Sequence, residues 1–202
     1  MTQRLRLTRP ELKRQREALR RFERYLPMLK LRQQQLQAQL LSAERARNQA
    51  QTEEAQARPA AQAATDLVSR ARGLDLGHLI APSEIRTRTE DIAGISAPAF
   101  ESISFPVPSY GLINTPAWVD FALLDLRRLE EKRAIASILA ERCRLVAAEL
   151  MKTIQRVNLF EQVKIPEAKD AIRRIRIALG DELAASTGRA KIAKGKLVGG
   201  AA

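Results

Sequence analysis

The chain has 202 residues, 45% of them apolar but only 4% aromatic, so a compact core would lack its usual large fillers. No apolar run approaches the roughly 20 residues of a membrane-spanning helix, and the N-terminus, Met1-Thr2-Gln3-Arg4-Leu5-Arg6, lacks the apolar core of a secretory signal. A single cysteine, Cys143, excludes an internal disulfide and a multi-cysteine zinc site.

These features lead us to expect a soluble, largely helical protein of a reducing compartment. Its formal net charge is +12 and is unevenly placed. Residues 1–32 hold eleven Lys and Arg against three Asp and Glu, residues 33–151 thirteen against fifteen, and residues 152–202 eleven against five. Both ends are basic and the middle is nearly balanced. If the ends fold beside each other, one tip is strongly positive and would attract an acidic protein surface or nucleic acid, and charge alone does not separate those two.

The first element begins at Thr8-Arg9-Pro10-Glu11, which reads as a capping box with Thr8 as cap and Glu11 three residues on. Leu5, Leu12, Leu19 and Leu26 repeat every seven residues, and Leu40 resumes that series after a gap at Gln33. Phe22, Leu29, Leu36, Ala43, Ala50, Ala57 and Ala64 form a second series at the same spacing. A seam of this period must find a partner helix, because an isolated helix has nothing to bury it against. The change from Leu to Ala predicts close approach of that partner past residue 43. Pro27 and Pro59 are expected to bend the helix or loosen a turn rather than end it, since the periodicity crosses Pro27.

The middle differs in kind. Nine of the eighteen Gly and Pro residues lie between Gly73 and Pro116. Ile85-Arg86-Thr87-Arg88-Thr89 and Ile103-Ser104-Phe105-Pro106-Val107 alternate, with Gly94 and Pro98 between them. These runs predict a small β-hairpin that projects from the helices yet leans on them, because a lone hairpin is marginal in water. Pro106 would confine its strand to an edge.

The second long element is expected to start at Thr115-Pro116, a hydroxyl cap followed by proline in the first helical position. Trp118, Phe121, Leu124, Leu126 and Leu129 give it a dense apolar face, and Trp118 reads as an anchor near the hairpin. Leu139, Cys143, Val146, Leu150, Thr153 and Val157 then step by alternating fours and threes, a seam that suits the first. Pro166 breaks the pattern, and Ile172, Ile175 and Leu179 resume it. After Gly180 the chain is rich in Gly, Ala and Lys and is expected to fray. The fold class is therefore dominated by α-helix: a long antiparallel two-helix coiled coil with a small β-hairpin or irregular middle region. Its parts are an N-terminal helix over residues 1–72, a middle region over 73–115, a C-terminal helix over 116–180 and a basic tail over 181–202. A helix of some 60 residues spans roughly 90 Å, far beyond a globular domain of this size.

Catalytic patterns are missing from the sequence. It has no Gly-rich phosphate loop followed by Lys and no helical His pair for zinc. The lone His78 reads as an exposed or capping loop residue and Cys143 as a small core filler. Glu53-Glu54 and Glu130-Glu131 are sequence neighbours that point different ways on a helix, which suits a solvated face. No catalytic, metal or cofactor-binding residue is assigned, so the chain is expected not to be an enzyme by itself.

Three segments carry a family resemblance. Arg156-Val157-Asn158-Leu159-Phe160-Glu161-Gln162-Val163-Lys164-Ile165-Pro166 resembles the Arg-Val-Asn-Ala-Leu-Glu…Ile-Pro segment of the D subunit of V-type (vacuolar or archaeal-type) ATPases. Leu26-Pro27-Met28-Leu29-Lys30-Leu31-Arg32-Gln33-Gln34-Gln35-Leu36 is similar to that family's Leu-Leu-Lys-x-Lys-Arg-Asp-x-Leu segment, and Pro108-Ser109-Tyr110-Gly111-Leu112-Ile113-Asn114-Thr115 to the stretch before its second long helix. Pro27, and Ala184-Ala185-Ser186-Thr187-Gly188 in place of a Glu/Arg-rich segment, depart from the family pattern.

The resemblance implies a central rotor shaft that carries torque between the catalytic head and proton or sodium transport in the membrane ring. The implied partners are the A and B head subunits, the small F subunit of the stalk and the C (or d) socket subunit on the membrane side. The implied location is peripheral, at the cytoplasmic face of the plasma membrane, without membrane insertion and without nucleic acid. On that reading the tip enclosed by the head contains Arg4, Arg6, Arg9, Lys13, Arg14, Arg16, Lys191, Lys194 and Lys196. A basic coiled-coil scaffold or a nucleic-acid-associated protein is the alternative. Scaffolds of this kind form homodimers, and nucleic-acid binding would weaken steeply with salt.

Overall fold

The computed structural model describes residues 5–70, 77–108 and 115–199, the last five of these as backbone only. Helix α1 spans Arg9–Arg70 and the short helix α2 spans Gly77–Ile80. Strands β1 (Glu84–Ile92) and β2 (Ile95–Ser104) form a two-stranded antiparallel sheet. Helix α3 (Val119–Asn158) passes through a π-helical segment, Leu159–Lys164, into helix α4 (Ile165–Gly199). The chain packs as two units: residues 1–33 with 152–202, and residues 34–151.

Helix α1 persists because its solvent side is filled with strong helix formers stitched at (i, i+4). Gln49 donates to Glu53 at 3.2 Å, Arg58 to Glu54 at 2.9 Å and Gln62 to Asp66 at 3.2 Å. It begins one residue after Thr8, whose carbonyl accepts the Leu12 N–H at 3.0 Å. The Glu11 carboxylate does not face back toward that cap; it accepts from Gln15 at 2.8 Å and lies 4.0 Å from Arg14. Pro10 falls in the first turn, where a missing N–H is harmless. Pro27 and Pro59 lie within the helix without ending it.

In the first unit the two helices run antiparallel: Lys30 meets Glu161 at 2.8 Å, while Glu23, earlier on α1, meets Lys169, later on α4, at 3.8 Å. Phe22 and Phe160 meet with ring centroids 5.3 Å apart and planes tilted by 36°. Thr153, Val157, Ala168, Ile172 and Ile175 are buried, and Leu12, Leu19, Phe22, Leu26 and Leu29 are half-buried.

In the second unit Lys132 reaches Glu53 at 2.7 Å and Arg133 lies 3.8 Å from Glu54. Ala61 and Ala64 pack with Ala122, Leu126 and Leu129, so this pair is antiparallel too. Helix α2 seats Leu79 against Val119 and Leu123, and Trp118 packs against both clusters. Trp118 thus ties together α1, α2 and the start of α3.

The hairpin turns on Ala93 and Gly94, both at positive φ (52° and 77°), the two-residue geometry whose twist matches the strands. The Asp91 side chain accepts the Gly94 N–H at 2.8 Å. The strands are longer than the alternating runs suggested. Pro98 pairs with Thr89 inside β2 rather than lying in the loop, and Pro106 lies beyond the last strand residue, Ser104. An extra residue, Glu101, bulges between the pairs Arg86–Ser102 and Thr87–Phe100.

Four further expectations change. Helix α3 starts at Val119 rather than at Thr115-Pro116, and the Val119 N–H donates to the Pro116 carbonyl at 3.0 Å, so the proline forms the preceding turn. Phe121 and Leu124 point outward (73% and 66% exposed), because α3 turns Ala122, Leu126 and Leu129 to the Ala seam of α1 and Val119 and Leu123 to Leu79 of α2. His78, expected in a loop, is exposed on α2. The chain stays helical past Gly180 to Gly199, where a frayed tail was expected, since Leu183, Ala184, Ala185, Arg189, Ala190 and Lys191 retain helix propensity around Gly188.

The burial contrast on α4 gives a direct test. Ile175 is fully buried and Ile177, two residues on, is 56% exposed. Ile175→Ala should cost about 2–5 kcal/mol in urea unfolding, and Ile177→Ala under about 0.5 kcal/mol. Equal costs would place the seam on the wrong face.

Candidate interaction surfaces

The predicted seam residues fall into two grades. Leu36, Ala43, Ala50, Cys143, Val146, Leu150 and Val157 are buried, whereas Leu12, Leu19, Phe22, Leu26, Leu29, Leu40 and Leu139 are half-buried. Upstream of Leu139 the buried positions continue through Ala136, Leu129, Leu126, Ala122 and Val119. Burial pushes the Cys143 thiol above its ordinary pKa, against the opposing pull of Arg47 on α1. A thiol that stays protonated and enclosed is a core filler, and it should resist alkylation until the protein unfolds.

Beside the seam, Glu53 is held below the usual carboxylate range, first by the hydrogen bond from Lys132, then by that from Gln49, then by the Lys132 charge. A depressed folded-state pKa stabilises above the unfolded value and is lost as pH falls through the folded one. The stability gap between the unmodified chain and Glu53→Gln should therefore be present at neutral pH. In pH-dependent melts it should close as the carboxylates protonate.

A second surface is the hairpin. Arg127 on α3 donates to the Leu79 carbonyl at 2.9 Å and to the Pro106 carbonyl at 2.6 Å, and stacks over the Phe105 ring at 5.2 Å. Further along α3, Arg142 reaches Glu90 at 3.2 Å, and Glu90 also pairs with Arg88. Two arginines fifteen residues apart thus hold the base and the tip region of the hairpin, and Ile92, Ala97 and Ala99 are buried. The hairpin lies along α3 instead of projecting freely. Hydrogen bonds from a charged donor contribute about 1.5–3 kcal/mol. Arg127→Ala should accordingly speed amide exchange of residues 84–104 by about tenfold or more, with α3 unaffected.

The third surface is electrostatic. The unit formed by residues 1–33 and 152–202 carries twenty-two Lys and Arg against eight Asp and Glu; the other carries thirteen against fifteen. Within the basic unit a groove between α1 and α4 is lined by Arg16, Arg20, Lys169, Arg173 and Arg176 together with Leu19, Ile172 and the exposed Ile177. Glu23 is the one carboxylate in its lining. Such a groove fits an acidic segment with apolar residues of its own, because unlike charges at its rim guide the approach.

Of the predicted basic tip, the groove takes in Arg16. Arg6, Arg9, Lys13, Lys191 and Lys194 are exposed, and Arg14 lies near Glu11. Arg4 lies outside the described residues, as do the side chain of Lys196 and the segment 109–114. The sequence reading missed Lys169, Arg173 and Arg176, although their spacing of four and three puts them on one helical face. In the singled-out motif, Arg156 and Asn158 are exposed, Val157 is buried, Glu161 pairs with Lys30, Ile165 is half-buried and Pro166 is the second residue of α4. Among the described residues no group of His, Cys, Asp and Glu is placed to hold a metal, and no helix is long and apolar enough to cross a membrane.

Comparison with known proteins gives a consistent result. The family model described as the D subunit of ATP synthase matches residues 11–195. The V-type ATP synthase D subunit of Borreliella burgdorferi is 34% identical over 194 residues, covering 96% of this chain and 95% of that relative. The proteins of the same name from Chlamydia trachomatis serovar L2 and Chlamydia muridarum are each 30% identical over 198 residues, covering 98% of both chains.

Proposed function

Because this chain belongs to the D-subunit family of ATP synthases, central-stalk components of the V-type rotary ATPase, we propose that it is the torque-carrying rotor shaft and performs no catalysis itself. The observation that carries the reading is the concentration of positive charge on one unit of paired antiparallel helices, while the second unit is nearly neutral. A shaft must be long in secondary structure, stiffly paired and unequal on its different sides. The basic groove supplies that inequality: five cations lie along one side of the helix pair.

We assign the basic unit to the bore of the head, formed by the A and B subunits. As the shaft turns, the groove faces each surrounding subunit in turn and favours one conformation of whichever it faces. Rotation then shifts nucleotide affinities by differential contact, which couples populations without chemistry on the shaft. The F and socket subunits are assigned to the nearly neutral unit, where the outward-facing Phe121 and Leu124 offer an apolar contact that the seam leaves uncovered. The location that follows is peripheral, at the cytoplasmic face of the plasma membrane, through the complex rather than by insertion. The scaffold and nucleic-acid readings are not favoured, since relatives covered over 95% and 98% of their length are named as D subunits of V-type ATP synthases.

Exposed charge pairs each contribute about 1 kcal/mol or less. Replacing any one of Arg16, Arg20, Arg173 or Arg176 with Gln should therefore leave ATP turnover of the purified complex nearly intact. Replacing all four should weaken assembly or raise hydrolysis uncoupled from ion transport, more so at high salt. Loss of turnover from one substitution in an assembled complex would replace this distributed contact with a specific one. Full coupling in the quadruple variant would show that shape alone carries torque.

A further inference from the structure

The π-helical segment Leu159–Lys164 lies inside the Arg156–Pro166 motif, and neither the seam nor the basic groove accounts for it. Its backbone bonds reach five residues back: the Ile165 N–H donates to the Phe160 carbonyl. The cause is chemical. Pro166 has no N–H to give the Gln162 carbonyl, and its ring would crowd that carbonyl in an α-helix, so the turn widens.

The widening also shifts the buried stripe. Alternating steps of three and four from Val157 lead to 160, 164, 167, 171 and 174. The buried side chains are instead Ala168, Ile172 and Ile175, each one residue later from 167 onward. The π segment therefore holds one extra residue, and α4 keeps the same face toward α1 because that residue is looped into the wider turn. Nothing in the segment is buried: Leu159 and Val163 are 45% and 40% exposed.

Opposite it, α1 has its own defect at the same level. Phe22 touches Phe160, Lys30 holds Glu161 and Glu23 faces Lys169, so Pro27 lies across from the π segment. Pro27 leaves the Glu23 carbonyl without its helical donor, as Pro166 does for Gln162. Two paired helices thus each lose a backbone hydrogen bond at one level. The contacts across that level include one tilted ring pair and two solvent-exposed ion pairs, and the α1 seam residues there, Phe22, Leu26 and Leu29, are only half-buried.

We propose that this level is a compliant joint, at which the helix pair of the basic unit bends and twists while the seams on either side stay closed. The extra residue is the source of the compliance: a π turn lends or takes back a residue without breaking the register of the buried stripe beyond it. Its use to smooth torque between stepwise head and ring rests on the shaft reading above; the joint itself is a property of the chain.

The test uses the full-length chain. Amides of residues 160–165 should exchange about tenfold or more faster than those of 140–157. Deleting Gln162 together with Pro166→Ala removes the extra residue and the block to α-helix, and leaves the later stripe where an uninterrupted helix puts it. That variant should fold, melt about 3 °C or more higher and lose the fast exchange. Deleting the exposed Ala147 of α3, where no residue is spare, should lower the melting temperature by about 10 °C. Pro166→Ala alone should fold and slow the fast amides partly. The joint is disproved if the unmodified segment exchanges as slowly as α3, or if the Gln162 deletion destabilises as much as the Ala147 deletion or fails to fold. These outcomes are independent of whether the chain turns in a complex. In the assembled complex, thermal angular fluctuation of a probe on the shaft should narrow in the Gln162-deleted variant; an unchanged width alongside slowed exchange would deny the joint its part in torque and leave the compliance standing.

Discussion

The structure depends on one requirement: each apolar seam must be covered by the other, because the chain has little else to bury. With aromatic residues at 4% there is no large filler around which a third layer would form. Small side chains meet that requirement in the nearly neutral unit, where Ala43, Ala50, Ala61 and Ala64 are buried on α1 against a richer α3 face. Alanine gives modest burial per residue but lets the helix backbones approach closely, and many such contacts along a long seam add up. In the basic unit α1 uses larger residues, Leu12, Leu19, Phe22, Leu26 and Leu29, which are half-buried against a buried face of Val157, Ile172 and Ile175.

This division underlies the separate roles proposed for the two units. Like charges gathered along α1 and α4 repel one another, so the basic unit is best stabilised when an acidic surface surrounds it. The nearly neutral unit instead carries the hairpin, held by Arg127 and Arg142, and the uncovered Phe121 and Leu124. On the proposed reading the basic surface serves the enclosing head and the other surface the remaining stalk neighbours.

Much of this was legible in the residues. Heptad spacing marked the stripe on α1: Leu36, Ala43, Ala50 and Ala64 of one series are buried, and Leu12, Leu19, Leu26 and Leu40 of the other are half-buried. Gly94 marked the hairpin turn, though Ala93 accepts a positive φ that alanine seldom takes, and no local rule would have singled it out. Phe121 and Leu124 misled because hydrophobicity was read without the partner: only a facing surface decides which of two apolar stripes is covered. Pro166 was visible as a break, but the extra residue it entails appears only when the buried positions on both sides are counted. The α4 half of the basic groove was hidden for a similar reason. Lys169, Arg173 and Arg176 look like an ordinary solvated face until Arg16 and Arg20 come to lie beside them.

Pairing within one chain distinguishes a shaft from a dimeric scaffold, and cross-linking measures it directly. Cysteines placed at Glu53 and Lys132, whose side chains meet at 2.7 Å, in a Cys143→Ala background would be treated with a short bifunctional maleimide in dilute solution. An intrachain product of monomeric mass, formed at a rate independent of protein concentration, is the predicted result. Links that join two chains only, with yield rising with concentration, would contradict it and return the chain to the class of coiled-coil dimers.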